Sequence, residues 1–278
     1  MTKIISIANQ KGGVGKTTTA VNLAAGLSIL LRHERESEGR VLLIDTDPQS
    51  HALMATSFSG YQAVPDASLA ALIVKDIAPA PQQMIKKSEH HENLFFIPGN
   101  RQAMAEARNR LPSLMARETR LSRAIQPVLD YYEFIIIDTP PTLDHLMINA
   151  LVASTHVLIP VEPSYLGLSG LMDLQSAIEQ VRMHLGKESL EILGYLPTRC
   201  SMQRSEVGEI LEHLEASFPD LVLPPIHEST DLTYAHSAHM DVFTYRPPRS
   251  RDDGRLASSS RATQDYAILV EEVVNRTK

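Results

Sequence analysis

The chain has 278 residues, with 26 lysines and arginines against 33 aspartates and glutamates, a formal charge of −7. Hydrophobic residues make up 43% and charged residues 21%, which excludes a disordered, collagen-like or disulfide-stapled polypeptide and suits a folded chain with a large core. The single cysteine, Cys200, can close no internal disulfide and cannot by itself build a zinc or iron–sulfur centre. The opening residues lack the basic start and apolar core of a signal peptide, and no apolar run approaches the roughly 18 residues needed to span a bilayer, so a cytoplasmic location is expected.

Short β-branched runs alternate with longer helical patterns. Strands are expected at 3–8, 40–45, 94–98, 133–138, 156–161 and 191–197, with a weaker one at 222–226 that Pro224 and Pro225 interrupt. Helical patterns cover 16–32, 101–126, 143–153, 168–185, 204–217 and 262–276. Most of the strand runs are continuously apolar, as in Phe134-Ile135-Ile136-Ile137, the pattern of strands covered on both faces. The β-then-α order predicts an α/β fold: a doubly wound, mostly parallel sheet flanked by helices. Charged residues 33–39 form a turn, and 246–260 is irregular and rich in Arg, Pro and Ser. Neither breaks the chain, and 1–278 is read as one domain.

The first strand runs directly into Gln10-Lys11-Gly12-Gly13-Val14-Gly15-Lys16-Thr17-Thr18, and the first helix follows. Glycines at this spacing let successive N–H groups converge on an anion, and the helix adds its positive N-terminal end. This is a phosphate loop of the P-loop NTPase type, in which Lys16 reaches the β- and γ-phosphates and the Thr17 hydroxyl ligates Mg²⁺. Two further strands end in carboxylates, Asp45-Thr46-Asp47-Pro48-Gln49 and Asp138-Thr139-Pro140-Pro141. The carboxyl edge of an open sheet is where ligands bind, and a carboxylate there can serve the Mg²⁺ shell through water.

The loop departs from the general pattern by carrying Gln10 where a glycine is usual and a second lysine, Lys11, at its mouth. In this the chain resembles the ParA/MinD superfamily of deviant Walker-box ATPases. The resemblance extends to Asp45-x-Asp47-Pro48-Gln49, to Ile97-Pro98-Gly99-Asn100 and to Ile159-Pro160-Val161-Glu162-Pro163-Ser164. It implies ATP and Mg²⁺ as cofactors, with Lys11, Gly12, Gly13, Val14, Gly15, Lys16, Thr17 and Thr18 around the phosphates. It also implies Thr17, Asp47 and Asp138 at the metal, and catalytic roles for Lys11, Lys16 and Asp47. Lys11 would cross a homodimer to the partner's nucleotide, Asp47 would orient the attacking water and Asp45 would support it. Pro225 and Ile226, with His227, match the family's adenine-side loop, although the residues differ from its usual Ile-Pro-Arg.

Within the family the chain reads most like the compact ParA/Soj-type partition ATPases. The first strand begins at residue 3, so no DNA-binding helix-turn-helix extension is expected to precede it. A membrane-cycling MinD-like regulator would need a basic amphipathic terminal helix. Here Tyr266, Leu269, Val270, Val273 and Val274 form an apolar stripe expected to pack on the core, opposite Gln264, Asp265, Glu271 and Glu272. No membrane partner is expected. The resemblance implies instead a weak, DNA-stimulated ATPase that binds DNA non-specifically as an ATP-bound dimer. It would then position a plasmid, chromosome origin, organelle or other cargo with a ParB-type adaptor at the nucleoid. Two arginine-rich stretches could meet phosphates: 246–261, with Arg246, Arg249, Arg251 and Arg255, and 101–123, with six arginines against two glutamates. A helix ridge of Glu206, Glu209, Glu212 and Glu215 reads as a solvated face. His227, His236 and His239 near Asp241 read as loop histidines rather than a metal site. A small-molecule ATP-dependent enzyme on the same scaffold is the reading from another class.

Overall fold

A computed structural model describes residues 1–278 apart from 36–38, 50–51, 53–63, 78–79, 165–166, 168–169, 202–204 and 247–259. Its strands are β1 (Lys3–Ile7), β2 (Val41–Asp45), β3 (Lys86–Lys87), β4 (Leu94–Ile97), β5 (Phe134–Asp138), β6 (His156–Val161) and β7 (Glu191–Pro197). Among the described residues they form a sheet in the order β3-β4-β2-β5-β1-β6-β7, parallel throughout except where β3 pairs antiparallel with β4. The principal helices are α1 (Lys16–Arg35), α2 (Leu69–Val74), α3 (Arg101–Arg110), α4 (Arg120–Ile125) and α5 (His145–Ala153). They are followed by α6 (Leu171–His184), α7 (Ser205–Ser217), α8 (Thr230–Ser237) and α9 (Arg261–Arg276).

The apolar strand runs feed three buried clusters, one of which joins Val157, Ile159 and Val161 of β6 to α6. Val41 and Leu43 of β2 face one side with Phe134 and Ile136 of β5, under α1 and α9. Leu42 and Ile44 face the other with Ile135 and Ile137, under α2, α3 and α4. Successive strand residues point to opposite faces, so covering both removes the polar alternation. The C-terminal stripe is buried against α1 as expected, with Tyr266, Leu269, Val270 and Val273 at most 4% exposed. At Gly26 of α1 an added Cβ would lie 2.5 Å from Val270 Cγ2, so the two helices meet where α1 has no side chain.

The register positions the site. Ile7 of β1 stands level with Asp138 of β5, and Asp138 with Asp45 of β2. The loop after β1 and two of the strand-end carboxylates therefore emerge side by side, near where the strand order turns back around β1.

Three expectations are corrected. The 101–126 helix is divided into α3, a 3-10 turn at Leu111–Ser113 and α4, because Pro112 has no N–H to continue the ladder and Ala116 takes a positive φ of 51°. Residues 222–226 make no regular strand: Pro224 and Pro225 leave only isolated bridges from Tyr195 to Val222 and from Cys200 to His227. Asp265 does not stand on a solvated face of α9 but is 9% exposed.

Candidate active site

The loop between β1 and α1 is curled by two left-handed residues, Gly13 at φ +78° and Gly15 at φ +83°, where any side chain would be strained. A Cβ added at Gly12 or Gly13 would meet nothing within 4 Å, so the loop presents open backbone. Val14 is its buried anchor, and the Thr198 hydroxyl from the end of β7 donates to the Val14 carbonyl at 2.8 Å. Lys16, 7% exposed, donates from Nζ to the Lys11 carbonyl at 2.9 Å. Burial lowers the Lys16 ammonium, against the raising influence of Asp138 and Asp47. A 310 Å³ cleft lies over the loop, lined by Gly12, Lys16, Thr17, Thr18, Asp47 and His236 among others.

The three aspartates do different work. Asp45 is buried and accepts from the backbone N–H groups of Asp47 at 3.0 Å and Ala52 at 2.9 Å, fixing the loop that carries Asp47. Asp47 is half-buried and accepts the Gln49 N–H at 2.8 Å. Asp138 is fully buried and accepts the Thr17 hydroxyl on Oδ2 at 2.7 Å, while its Oδ1 is buried with no hydrogen-bond partner among the described residues. Burial pushes the Asp138 carboxyl up to about 7, with the Thr17 hydrogen bond and Lys16 pulling against it and the Asp47 charge adding to it. A buried carboxylate oxygen with no partner, next to a hydroxyl, is costly in isolation. Hard oxygen donors in this pairing fit Mg²⁺, which takes few protein ligands and keeps several waters. The Thr17 hydroxyl and the Asp138 carboxylate are donors of the kind that Mg²⁺ takes.

Lys11 does not lie free at the loop mouth. Its Nζ pairs with Glu162 Oε2 at 2.7 Å and approaches Ser164 Oγ at 3.4 Å, both beyond the end of β6. The Lys11 backbone is fixed too, its N–H donating to Asn9 Oδ1 at 2.8 Å.

A second cleft of 350 Å³ adjoins the first and shares Gly13, Gly15, Thr18 and His236 with it. Ile226 and His227 line it, together with Arg199, Leu232, His236 and Tyr266. Pro225 is not among its lining residues. Arg199 holds φ +55° and donates to the Gly13 carbonyl at 3.3 Å, and His227 is held by Asp265. Sequence reasoning missed Glu162, Thr198, Arg199, His236 and the role of Asp265. Thr198 carries a visible signal only in being a polar residue that follows an apolar strand, and Glu162 only in belonging to the Ile159-Pro160-Val161-Glu162-Pro163-Ser164 segment.

The arginine stretches differ. Arg108 pairs with Asp144, Arg117 with Glu118 and Arg120 with Asp76, so much of the 101–123 charge is matched locally. Arg246 is exposed and donates to the Phe243 and Tyr245 carbonyls. Arg249, Arg251 and Arg255 lie outside the described residues. No described helix is long and apolar enough to cross a membrane.

Residues 2–192 match the model of a family described as an AAA domain. The chain is 39% identical to the sporulation initiation inhibitor protein Soj of Bacillus subtilis, over 98% of each. It is 34% identical to the chromosome partitioning protein ParA of Myxococcus xanthus, over 81% of this chain and 74% of that protein. Among solved structures, cobyrinic acid a,c-diamide synthase from Mycobacterium smegmatis, with bound ADP and magnesium, superposes with a TM-score of 0.76. That pair is 26% identical over 99% of this chain and 95% of the other. Soj aligns from end to end and the fold agrees over nearly as much of the chain: this protein belongs to the ParA/MinD-type family of P-loop ATPases.

Proposed function

We propose that the chain works as a single ATPase domain that switches between monomer and homodimer with its nucleotide, and that the ATP-bound dimer binds DNA without sequence preference. The observation that carries the phosphate end of this reading is the Thr17–Asp138 pair with its orphaned Oδ1, set under a glycine-curled loop and a buried lysine. Loop amides and Lys16 would hold the phosphates; Thr17 and Asp138 would hold Mg²⁺, which supplies charge neutralisation there when bound. Asp47, lining the same cleft on a loop fixed by Asp45, orients the attacking water. Lys11 is the one loop lysine whose ammonium is turned away from its own loop, onto Glu162. Released, it serves the partner's nucleotide in the manner of an arginine finger.

The partition reading draws on the similarity to Soj and to ParA, and extends to a ParB-type adaptor, a DNA or protein cargo and the nucleoid. A membrane-cycling role has less support, because the apolar stripe of α9 is already buried. A small-molecule ATP-dependent enzyme is the second reading, favoured by the likeness to the diamide synthase and by the 350 Å³ cleft.

Co-sedimentation with plasmid DNA and with anionic liposomes, with and without ATP, tests the proposal. DNA binding should require ATP, ignore sequence and fall with salt at about −0.9 in log–log slope per phosphate neutralised. Replacing Arg249, Arg251 and Arg255 by alanine should flatten that slope equally on unrelated sequences. The absence of ATP-dependent DNA binding at low salt would remove the partition reading.

A further inference from the structure

We infer that Arg101, which lines neither nucleotide cleft, positions Asp47 through Gln49 and so sets the rate of ATP hydrolysis. This rests on the reading that Asp47 orients the attacking water. The carboxylate stands on the loop after β2, and a chain of contacts decides where it points. The Asp47 N–H donates to Asp45 Oδ1 at 3.0 Å, which fixes the start of the loop. Pro48 follows, with a ring that holds φ at about −65° and no N–H to offer. Asp47 Oδ1 then accepts the Gln49 N–H at 2.8 Å, so the course of the backbone at Gln49 fixes the rotation of the Asp47 side chain. Gln49 is exposed, and burial does nothing to hold it. It is held by Arg101, whose Nη2 donates to Gln49 Oε1.

Arg101 suits this role because its other end is anchored. It is the first residue of α3, whose start is capped by Asn100 Oδ1 accepting the Ala103 N–H at 2.8 Å. Met104 and Ala107, at most 1% exposed, bury that helix in the core beside α2 and α4. A guanidinium on a packed helix thus ties down an exposed loop. Neighbouring side chains of α3 are engaged elsewhere: Gln102 donates to Glu106 at 3.2 Å, and Arg108 pairs with Asp144. Arg101 and Gln49 border a separate cleft of 370 Å³ with Pro48, Asn100, Gln102 and Ala105, whereas Asp47 lines the cleft over the phosphate loop. Arg101 is therefore a positioning residue, able to alter the step that Asp47 serves without altering the hold on the phosphates. A catalytic group displaced by about 1 Å can lose as much as about a hundredfold in rate, so a modest slackening of the loop is measurable.

Single-turnover hydrolysis of ATP with Mg²⁺ and excess protein, read beside ATP affinity from displacement of a fluorescent analogue, tests the inference on Arg101→Ala, Gln49→Ala and the double variant. Each single variant should hydrolyse ATP about three- to tenfold more slowly than wild type while its affinity stays within about twofold. The double variant should be no slower than the slower single one, because both remove links of one chain. Gln49→Glu keeps an acceptor oxygen for Arg101 and should lose less than Gln49→Ala, an advantage that should disappear when residue 101 is alanine. A wild-type rate in Arg101→Ala, losses that multiply in the double variant, or a fall in affinity that matches the fall in rate would overturn the inference. Asp47→Ala separates the two readings: hydrolysis at the wild-type rate there would overturn the role of Asp47 itself, and the inference with it.

Discussion

Glu162→Gln should tighten the ATP-dependent dimer. In the free chain the Lys11 ammonium is held by Glu162 at 2.7 Å, so a subunit that lends this lysine to its partner must first give up the pair. The two side chains are 30% and 33% exposed, and water screens an ion pair of that kind to about 0.2–1 kcal/mol. Glutamine keeps the shape and an oxygen acceptor but removes the charge that retains the ammonium. A symmetric dimer releases two pairs, so the substitution should favour assembly by about 0.4–2 kcal/mol, a two- to thirty-fold fall in the dimer Kd. Sedimentation velocity over a concentration series, with a slowly hydrolysed ATP analogue, reads this directly. The difference from wild type should narrow as salt rises. Lys11→Ala serves as the reference and should remain monomeric in either background. A dimer no tighter than wild type would mean that Glu162 does not compete for Lys11, and a weaker one would make Glu162 itself a contact between subunits.

Two further outcomes follow from the carboxylates. Asp47→Ala should bind ATP through the intact loop yet hydrolyse it at least about a hundredfold more slowly, so that size-exclusion chromatography with ATP shows more dimer than wild type; loss of ATP binding would make Asp47 structural. Asp138→Asn should abolish Mg²⁺-dependent hydrolysis while raising the melting temperature of the nucleotide-free protein at pH 8. The Asp138 carboxyl is pushed up from 3.8 to about 7, so the native chain holds this proton more tightly than the unfolded one. Its favourable contribution is full below pH 4 and is lost as pH rises through 7, so the gain from asparagine should vanish toward pH 4. Equal melting temperatures at pH 8 would refute this.

The parts of the fold legible in the sequence were those with a local cause. Phe134-Ile135-Ile136-Ile137 announces a strand covered on both faces, and Gly13 and Gly15 announce a curled loop, because each signal is complete within a few residues. Elements defined by distant partners were not legible. Lys11 and Glu162 are 151 positions apart, so no local pattern announces their pairing. Asp265 and His227 are 38 apart, and helical spacing placed Asp265 on a wet face although it is buried against His227. Lys86–Lys87 has no apolar pattern to mark a strand, since two backbone pairings with Phe95 and Phe96 define it. Within 101–126 the charged and small residues read as continuous helix until Pro112, whose effect the surrounding composition masks.

That short β3 has a consequence for how copies of this chain can join. An open sheet edge with free N–H and C=O groups is a template on which strands of other molecules can stack, and lysines are among the devices that discourage it. Here the outermost strand on one side is a pair of lysines running against the grain of its neighbour. On the opposite side the Leu221 carbonyl and Leu223 N–H occupy both hydrogen-bonding groups of Tyr195, and Ile226 donates to the Pro197 carbonyl. Growth of the sheet into a ribbon is blocked at both ends. The homodimer proposed above would then use a face away from the sheet edges, where contact can be broken by chemistry rather than by unfolding, as a reversible switch requires and a fibre does not permit.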